Sequence, residues 1–200
     1  MITTAGTGGG LSSWRTRDMV VTAALAVVFG LLYQVWGLLW GVLSPILGSV
    51  GSDALNGFWF IAAILTPYIV RRPGAALVGQ FVAALVEMVA GGLWGADLII
   101  SGLAIGAGAE VVFALTGWKS YSLPTLLAAG AVALLPEFVH IYLVYGYAEL
   151  AWPVVAAKFV VSLVSVLVLG VLLGKAIGDA LARTGVLSGF ALGKDRRQEI

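Results

Sequence analysis

Five ionisable side chains sit in apolar surroundings, where each needs a reason: Glu87, Glu110, Glu137, His140 and Lys158. A charge at the centre of a membrane helix costs roughly 2.5 to 3.5 kcal/mol on insertion scales, so such groups mark packing ties, proton paths or ligand sites. Glu137 and His140 stand three apart and share a helix face, and Pro136 beside them frees a backbone carbonyl one turn earlier. That combination reads either as the wall of a cavity or as a tie between helices, made by the two residues with each other or with Lys158. Lys158 also has the length to snorkel toward water. Glu110, among Gly102, Gly106 and Gly108, reads as a protonated, hydrogen-bonded packing residue.

Several chemistries are poorly supplied. His140 is the only histidine and cysteine is absent, so there is no thiolate site; no His-Glu-x-x-His motif or Gly-x-Ser-x-Gly elbow occurs. Gly170 to Ala176 comes nearest to a phosphate loop, but it has one residue too few between its glycines and Ala176 where Ser or Thr would hold Mg²⁺. The chain is therefore expected to need no cofactor or metal and to bind no nucleic acid. An intramembrane enzyme using Glu87, Glu137 and His140 as acid and base is the weaker alternative to a non-enzymatic protein.

The elements that must position these residues are helices in lipid. The 200 residues are 60% hydrophobic and 10% charged, against about 25% charged in soluble domains. Stretches of about 20 apolar residues cross a bilayer. They are placed at Asp18 to Val42, Ala54 to Val70, Gly74 to Ala90, Ala96 to Thr116, Leu123 to Tyr145 and Pro153 to Leu173. The fold expected is an all-α membrane protein, a bundle of six transmembrane helices spanning residues 18–183. A disordered N-terminal tail (1–17) and a charged C-terminal tail (184–200) flank it. Leu43 to Asp53, Arg71 to Pro73 and Gly117 to Ser122 read as connectors, and the first helix as retained rather than cleaved. If six helices alternate, Arg15, Arg17, Arg71, Arg72, Lys119, Lys175, Arg183, Lys194, Arg196 and Arg197 share one side, and Lys158 alone departs. By the positive-inside rule that side, with both termini, is cytoplasmic.

This topology sorts the candidates by depth. Glu87, Glu137, His140 and Lys158 fall at one outer level, which also holds Tyr33, Trp36, Trp40, Trp59, Trp94, Tyr142, Tyr145, Tyr147 and Trp152. An interfacial belt explains Tyr147 and Trp152. Tyr33, Trp36 and Trp40 form a stripe on one helix, and aromatic walls with two carboxylates suit a flat, cationic or hydrogen-bonding small molecule. Thr22, Ala26 and Gly30, spaced by four, predict a close helix–helix contact, either within the bundle or with a partner protein. Both stripes point to similar sides unless the helix bends, for which Gly30 is the plausible place.

The run Val27 to Gly37, then Leu43 to Gly48, Gly57 to Ala62, Arg72 to Ala76 and Val144 to Ala148, resembles the YkoE-type substrate-binding (S) component of energy-coupling-factor (ECF) transporters over roughly Arg17 to Leu173. The resemblance implies a six-helix protein of a bacterial plasma membrane that captures thiamine or its hydroxymethylpyrimidine precursor from outside. It also implies a membrane coupling protein and two ATPase subunits as partners, with ATP used by them. Ala26 and Gly30, with Thr22, would then contact the coupling protein, although Ala26-x-x-x-Gly30 stands where Ala-x-x-x-Ala is expected. Leu43 to Asp53 would form a gate. Glu87 or Glu137 would face the ligand's cation and His140 its pyrimidine, with Trp36, Trp40, Trp59, Trp94 and Tyr145 around them. A self-sufficient proton- or ion-coupled carrier and a non-transporting membrane scaffold are the alternatives.

Overall fold

A computed structural model describes residues 14–193. The expected tail residues 1–13 and 194–200 lie outside the described residues. Among the described residues, four helical stretches are long and apolar enough to cross a membrane: Thr16–Val70, Asp97–Leu115, Leu123–Val144 and Trp152–Arg183. Ala75–Val89 is apolar but shorter.

The first stretch folds back on itself. Helix α1 (Thr16–Gly51) starts where Asp18 accepts the Arg15 N–H at 3.2 Å and the Arg72 Nε at 2.8 Å. It then runs through the segment expected to be a connector, past Pro45, to a break at Gly48, whose φ of 72° favours glycine. The proposed gate segment is thus mostly helical. A nine-residue 3₁₀ helix (Ser52–Phe60) returns antiparallel and passes into α2 (Ile61–Val70). Trp36 donates its indole N–H to the Leu55 carbonyl at 3.0 Å, and the Ala62 N–H donates to the Tyr33 hydroxyl at 2.8 Å, which fixes the hairpin's register. Where the 3₁₀ turn hands over to the α turn, backbone groups lose their helical partners and need others. Gln80 supplies them, accepting the Ala63 N–H at 3.1 Å and donating to the Trp59 carbonyl at 2.8 Å.

Every residue of α2 is buried, so α2 is the axis around which the remaining rods pack. These are α3 (Ala75–Val89), α4 (Asp97–Leu115), α5 (Leu123–Val144) and a last composite rod: α6 (Trp152–Ser165), a π-helical stretch (Val166–Leu172) and α7 (Leu173–Arg183). Small residues set the close contacts. A Cβ on Gly106 would lie 2.9 Å from the Leu77 Cα, and one on Gly108 would lie 2.6 Å from the Ala133 Cα.

The partner-contact expectation is corrected here. Thr22, Ala26 and Gly30 are buried, and a Cβ on Gly30 would meet Val86 at 2.5 Å and the Ala83 carbonyl at 2.6 Å. The stripe therefore makes the contact within the bundle, against α3. The aromatic stripe continues the same inward face, so no bend at Gly30 is needed. Residues 184–193, expected in a tail, fold back instead: Leu187, Phe190 and Leu192 are buried, and Arg17 lies 4.6 Å over the Phe190 ring.

Glu110 also has a definite task. It accepts the Gly74 and Ala76 N–H groups at 2.6 and 2.9 Å and the Trp118 indole at 2.6 Å. A carboxyl receiving the first N–H groups of α3 is a helix cap, so the packing role expected of Glu110 takes the form of a tie between α3 and α4.

Candidate functional site

At the end of the bundle away from Arg72 and Glu110, the rods enclose a cavity of about 320 Å³. Its wall divides into three clusters.

The first is aromatic and acidic. Glu87 of α3 is 1% exposed, and its Oε1 accepts the Trp59 indole N–H at 3.0 Å. Trp94 stands edge-on to both Trp40 and Trp59, with centroids 5.3 Å apart in each pair. Three indoles thus frame one carboxylate. Rings of this kind offer a negative face, and with an adjacent carboxylate they make a site for a flat cation.

The second is a hydrogen-bonded chain between α4 and α5. Ser101 donates to Glu137 Oε1 at 2.9 Å. His140 Nε2 is 3.1 Å from Asp97 Oδ1, while Nδ1 is 3.5 Å from the Ser101 hydroxyl and 3.6 Å from Glu137 Oε2. Tyr145 donates to the other Asp97 oxygen. Glu137 Oε2 is buried with no hydrogen-bond partner among the described residues, on a side chain that lines the cavity. A buried acceptor of this kind is costly unless it is paired, and the polar group facing it is the His140 ring at 3.6 Å.

The third is a buried ion pair. Lys158 Nζ lies 2.9 Å from Asp53 Oδ2 and 4.4 Å from the centroid of the Tyr147 ring, and donates to the Ser49 carbonyl. Asn56 and Tyr147 donate to Asp53 Oδ1 at 3.3 and 3.4 Å. Burial, and then the neighbouring Asp53 carboxylate, push the Tyr147 hydroxyl above the ordinary phenol range, so it stays a donor.

Of the residues expected to form a site, Trp40, Trp59, Glu87, Trp94, Glu137 and Tyr145 line the cavity. Two of the expected residues stand off the wall. His140 stands behind Glu137 rather than on the wall. Trp36 is turned away, stacked on Phe58 at 4.3 Å. Lys158, read as a side chain free to snorkel, is only 3% exposed. The reading from sequence missed Asp53, Asn56, Gln80 and Ser101 as wall residues. Asp53 reads as the end of a connector, and the other three are uncharged. A neutral amide or hydroxyl inside an apolar stretch is the signal that would have found them.

The fold and site together define a multi-pass membrane protein with a ligand-sized chamber among its helices. Comparison with known proteins agrees. Residues 17–136 match the family described as "ABC-type cobalt transport system, permease component". The chain is 38% identical to "Putative HMP/thiamine permease protein YkoE" of Bacillus subtilis (strain 168), over 94% of this chain and 95% of that protein. A solved structure described as an S-component of an ECF transporter superposes with a TM-score of 0.90 at 38% identity, covering 94% of this chain and 95% of its own. The chain belongs to the YkoE-type S components of ECF transporters, which are transport components and not enzymes.

Proposed function

We propose that the cavity captures thiamine or its hydroxymethylpyrimidine precursor from the extracellular side of a bacterial plasma membrane. The observation that carries this reading is the grouping of Glu87 with Trp40, Trp59 and Trp94 on one wall and the buried Glu137 carboxyl, backed by His140, on another. A thiazolium ring suits the first wall, by stacking and charge. An aminopyrimidine, with its exocyclic amine, suits the second. His140 then acts as a positioning residue, holding Glu137 from behind.

Six crossings with both termini cytoplasmic fit the arrangement of the ends. Arg15, Arg17, Arg71 and Arg72 gather at one end of the bundle and the cavity lies at the other, so the positive-inside rule turns the cavity outward. No ATP-binding motif occurs in the chain. Release of the ligand inward therefore falls to partners: a membrane coupling protein and two ATPase subunits. A cobalt ligand, which the family description raises, is less well supplied. Among the described residues no group of three His, Cys, Asp or Glu side chains converges as a metal would need.

The test is titration of the purified protein with thiamine and with hydroxymethylpyrimidine, read by tryptophan fluorescence. Quenching by either at micromolar concentration is expected, and the absence of any response to both refutes the ligand assignment. One observation favours a second reading, a carrier that works alone on a proton gradient: two buried carboxyls, Glu87 and Glu137, stand on the cavity wall, as a proton relay needs. Uptake by vesicles holding only this chain, driven by a pH gradient without ATP, would support it.

A further inference from the structure

The Asp53–Lys158 corner is left over by a site that needs one carboxylate for a cation and another for a pyrimidine. Both side chains are nearly sealed from solvent, Asp53 at 4% and Lys158 at 3% exposure. Holding the bundle together does not explain the pair. The same two rods are already joined by neutral bonds: Gly57 N–H to the Ser165 hydroxyl at 2.8 Å, that hydroxyl to the Ala54 carbonyl at 2.6 Å, and Asn56 to Ser162 at 3.3 Å. A buried ion pair seldom adds net stability over apolar side chains of like size, so this joint has no need of one. What the pair does have is a place on the cavity wall.

The surroundings of the ammonium are those of a recognition site. A carboxylate lies on one side, an aromatic face on another and a backbone carbonyl on a third. The carboxylate is itself oriented by Asn56 and Tyr147. This is the donor set that selects an organic ammonium ion. We infer that Asp53, the Tyr147 ring and the Ser49 carbonyl form an ammonium subsite that Lys158 fills from within the chain, so that the cavity takes one positive charge from its ligand rather than two. Lys158 is thus a specificity-determining residue. It neutralises Asp53 and leaves Glu87 as the carboxylate a ligand cation meets. The inference goes beyond the vitamin reading, and its first test uses no vitamin.

That test is chemical rescue of Lys158→Ala. Removing the side chain empties a space shaped for a short alkylammonium, and propylammonium is the probe, with 1-propanol as its neutral counterpart at matched ionic strength. Propylammonium should raise the melting temperature of Lys158→Ala by several degrees, while 1-propanol should not, and the wild type and the Asp53→Asn/Lys158→Ala double variant should respond to neither. Recovery of the single variant only when propylammonium is present during purification is the same rescue. An equal response to 1-propanol, an equal response of the double variant, or no recovery of the single variant with the amine overturns the subsite.

The second arm reads charge capacity. In Lys158→Ala an unpaired Asp53 should tighten thiamine binding about tenfold, the size of one further carboxylate roughly 10 Å away at an effective dielectric of 20. Adding propylammonium should return the affinity to that of the wild type. Unchanged thiamine affinity in both conditions refutes the selectivity role. Failure of the wild type to bind thiamine at all refutes the vitamin reading instead and leaves the rescue result standing.

Discussion

Replacing Glu87 by Gln isolates the charge of one carboxylate with little change of shape. The side chain is 1% exposed and its Oε1 takes the Trp59 indole N–H at 3.0 Å; a glutamine oxygen can keep that bond, so the three-indole wall should survive. What is lost is the attraction for a ligand cation. A unit charge about 4 Å away gains roughly 1 kcal/mol in bulk water and about 4 kcal/mol at an effective dielectric of 20. The burial of Glu87 argues for the larger figure. Glu137 remains on the opposite wall and recovers part of the loss, which brings the net change to about 2 kcal/mol, or roughly 30-fold in Kd. Hydroxymethylpyrimidine carries no permanent charge and should weaken less than about threefold on the same scale. The assay is fluorescence or calorimetric titration of both ligands against wild type and Glu87→Gln at fixed, low ionic strength. Equal weakening of the two ligands would show that Glu87 does not face the cation. Unchanged thiamine affinity would make Glu87 a structural partner of Trp59 and nothing more.

Glu137→Gln should behave differently, weakening both ligands by about tenfold or more, because a hydrogen bond from the shared pyrimidine to a charged acceptor is worth roughly 1.5–3 kcal/mol; a loss confined to thiamine in parallel titrations would reverse the assignment of the two walls. His140→Gln should weaken both ligands by a smaller factor, since the ring contacts Glu137 rather than the cavity; a loss as large as that of Glu137→Gln in the same titrations would place the ring on the ligand. Gly30→Leu should destabilise the isolated protein by about 1–3 kcal/mol or more, measured by thermal unfolding, because α3 backbone blocks the new side chain; a stable variant that fails only in assembly with a coupling protein would restore this stripe as a partner surface. Glu110→Ala should cost about 0.5–2 kcal/mol of thermal stability through loss of the α3 cap, with ligand affinity unchanged in the same preparation.

The rods after α2 could be read from composition and punctuation. Gly74, Asp97 and Ser122-Leu123-Pro124 mark where α3, α4 and α5 begin to within a residue or two, because lipid forces long apolar runs into helices and Gly, Pro and polar residues end them. The hairpin of α1 with the 3₁₀ helix was less legible. Pro45 and Gly48 look like a loop in sequence, but the helix carries on past Pro45, and only Gly48, at a φ of 72°, breaks it before its last turn. The direction of α1 was the other failure. Its small and aromatic residues lie on one face, and sequence alone does not say whether that face meets α3 or another protein. At the site, charged and aromatic residues announced themselves. Trp36 misled because ring type says nothing of the direction a ring takes once Phe58 and the Leu55 carbonyl claim it.

Two of the missed wall residues, Asp53 and Asn56, share a cause in backbone geometry. Asp53, Asn56 and Trp59 all line the cavity, at a spacing of three. In an α-helix, positions i, i+3 and i+6 spread over about 120° of the surface, whereas in a 3₁₀ helix, with 3.0 residues per turn, they fall in a single line. Reading this segment as α scatters the acid, the amide and the indole; winding it as 3₁₀ aims all three at the ligand. Nine residues is long for this poorly bonded helix, and irregular backbone at membrane depth persists where protein buries it or a cavity adjoins it. Both conditions hold. Trp36, Gln80 and Ser165 hydrogen-bond its carbonyls, and the Gly57 N–H donates to Ser165. The π-helical turn of the last rod packs on its other side, where a Cβ on Gly170 would lie 2.9 Å from the Phe60 Cβ and 3.0 Å from the Gly57 carbonyl. The two departures from α geometry are thus in contact, and the first of them sets the face that carries Asp53, Asn56 and Trp59. Binding chemistry here is a property of the winding as much as of the side chains: α spacing sets the inward faces of Glu87 and Glu137, and 3₁₀ spacing sets that of Asp53.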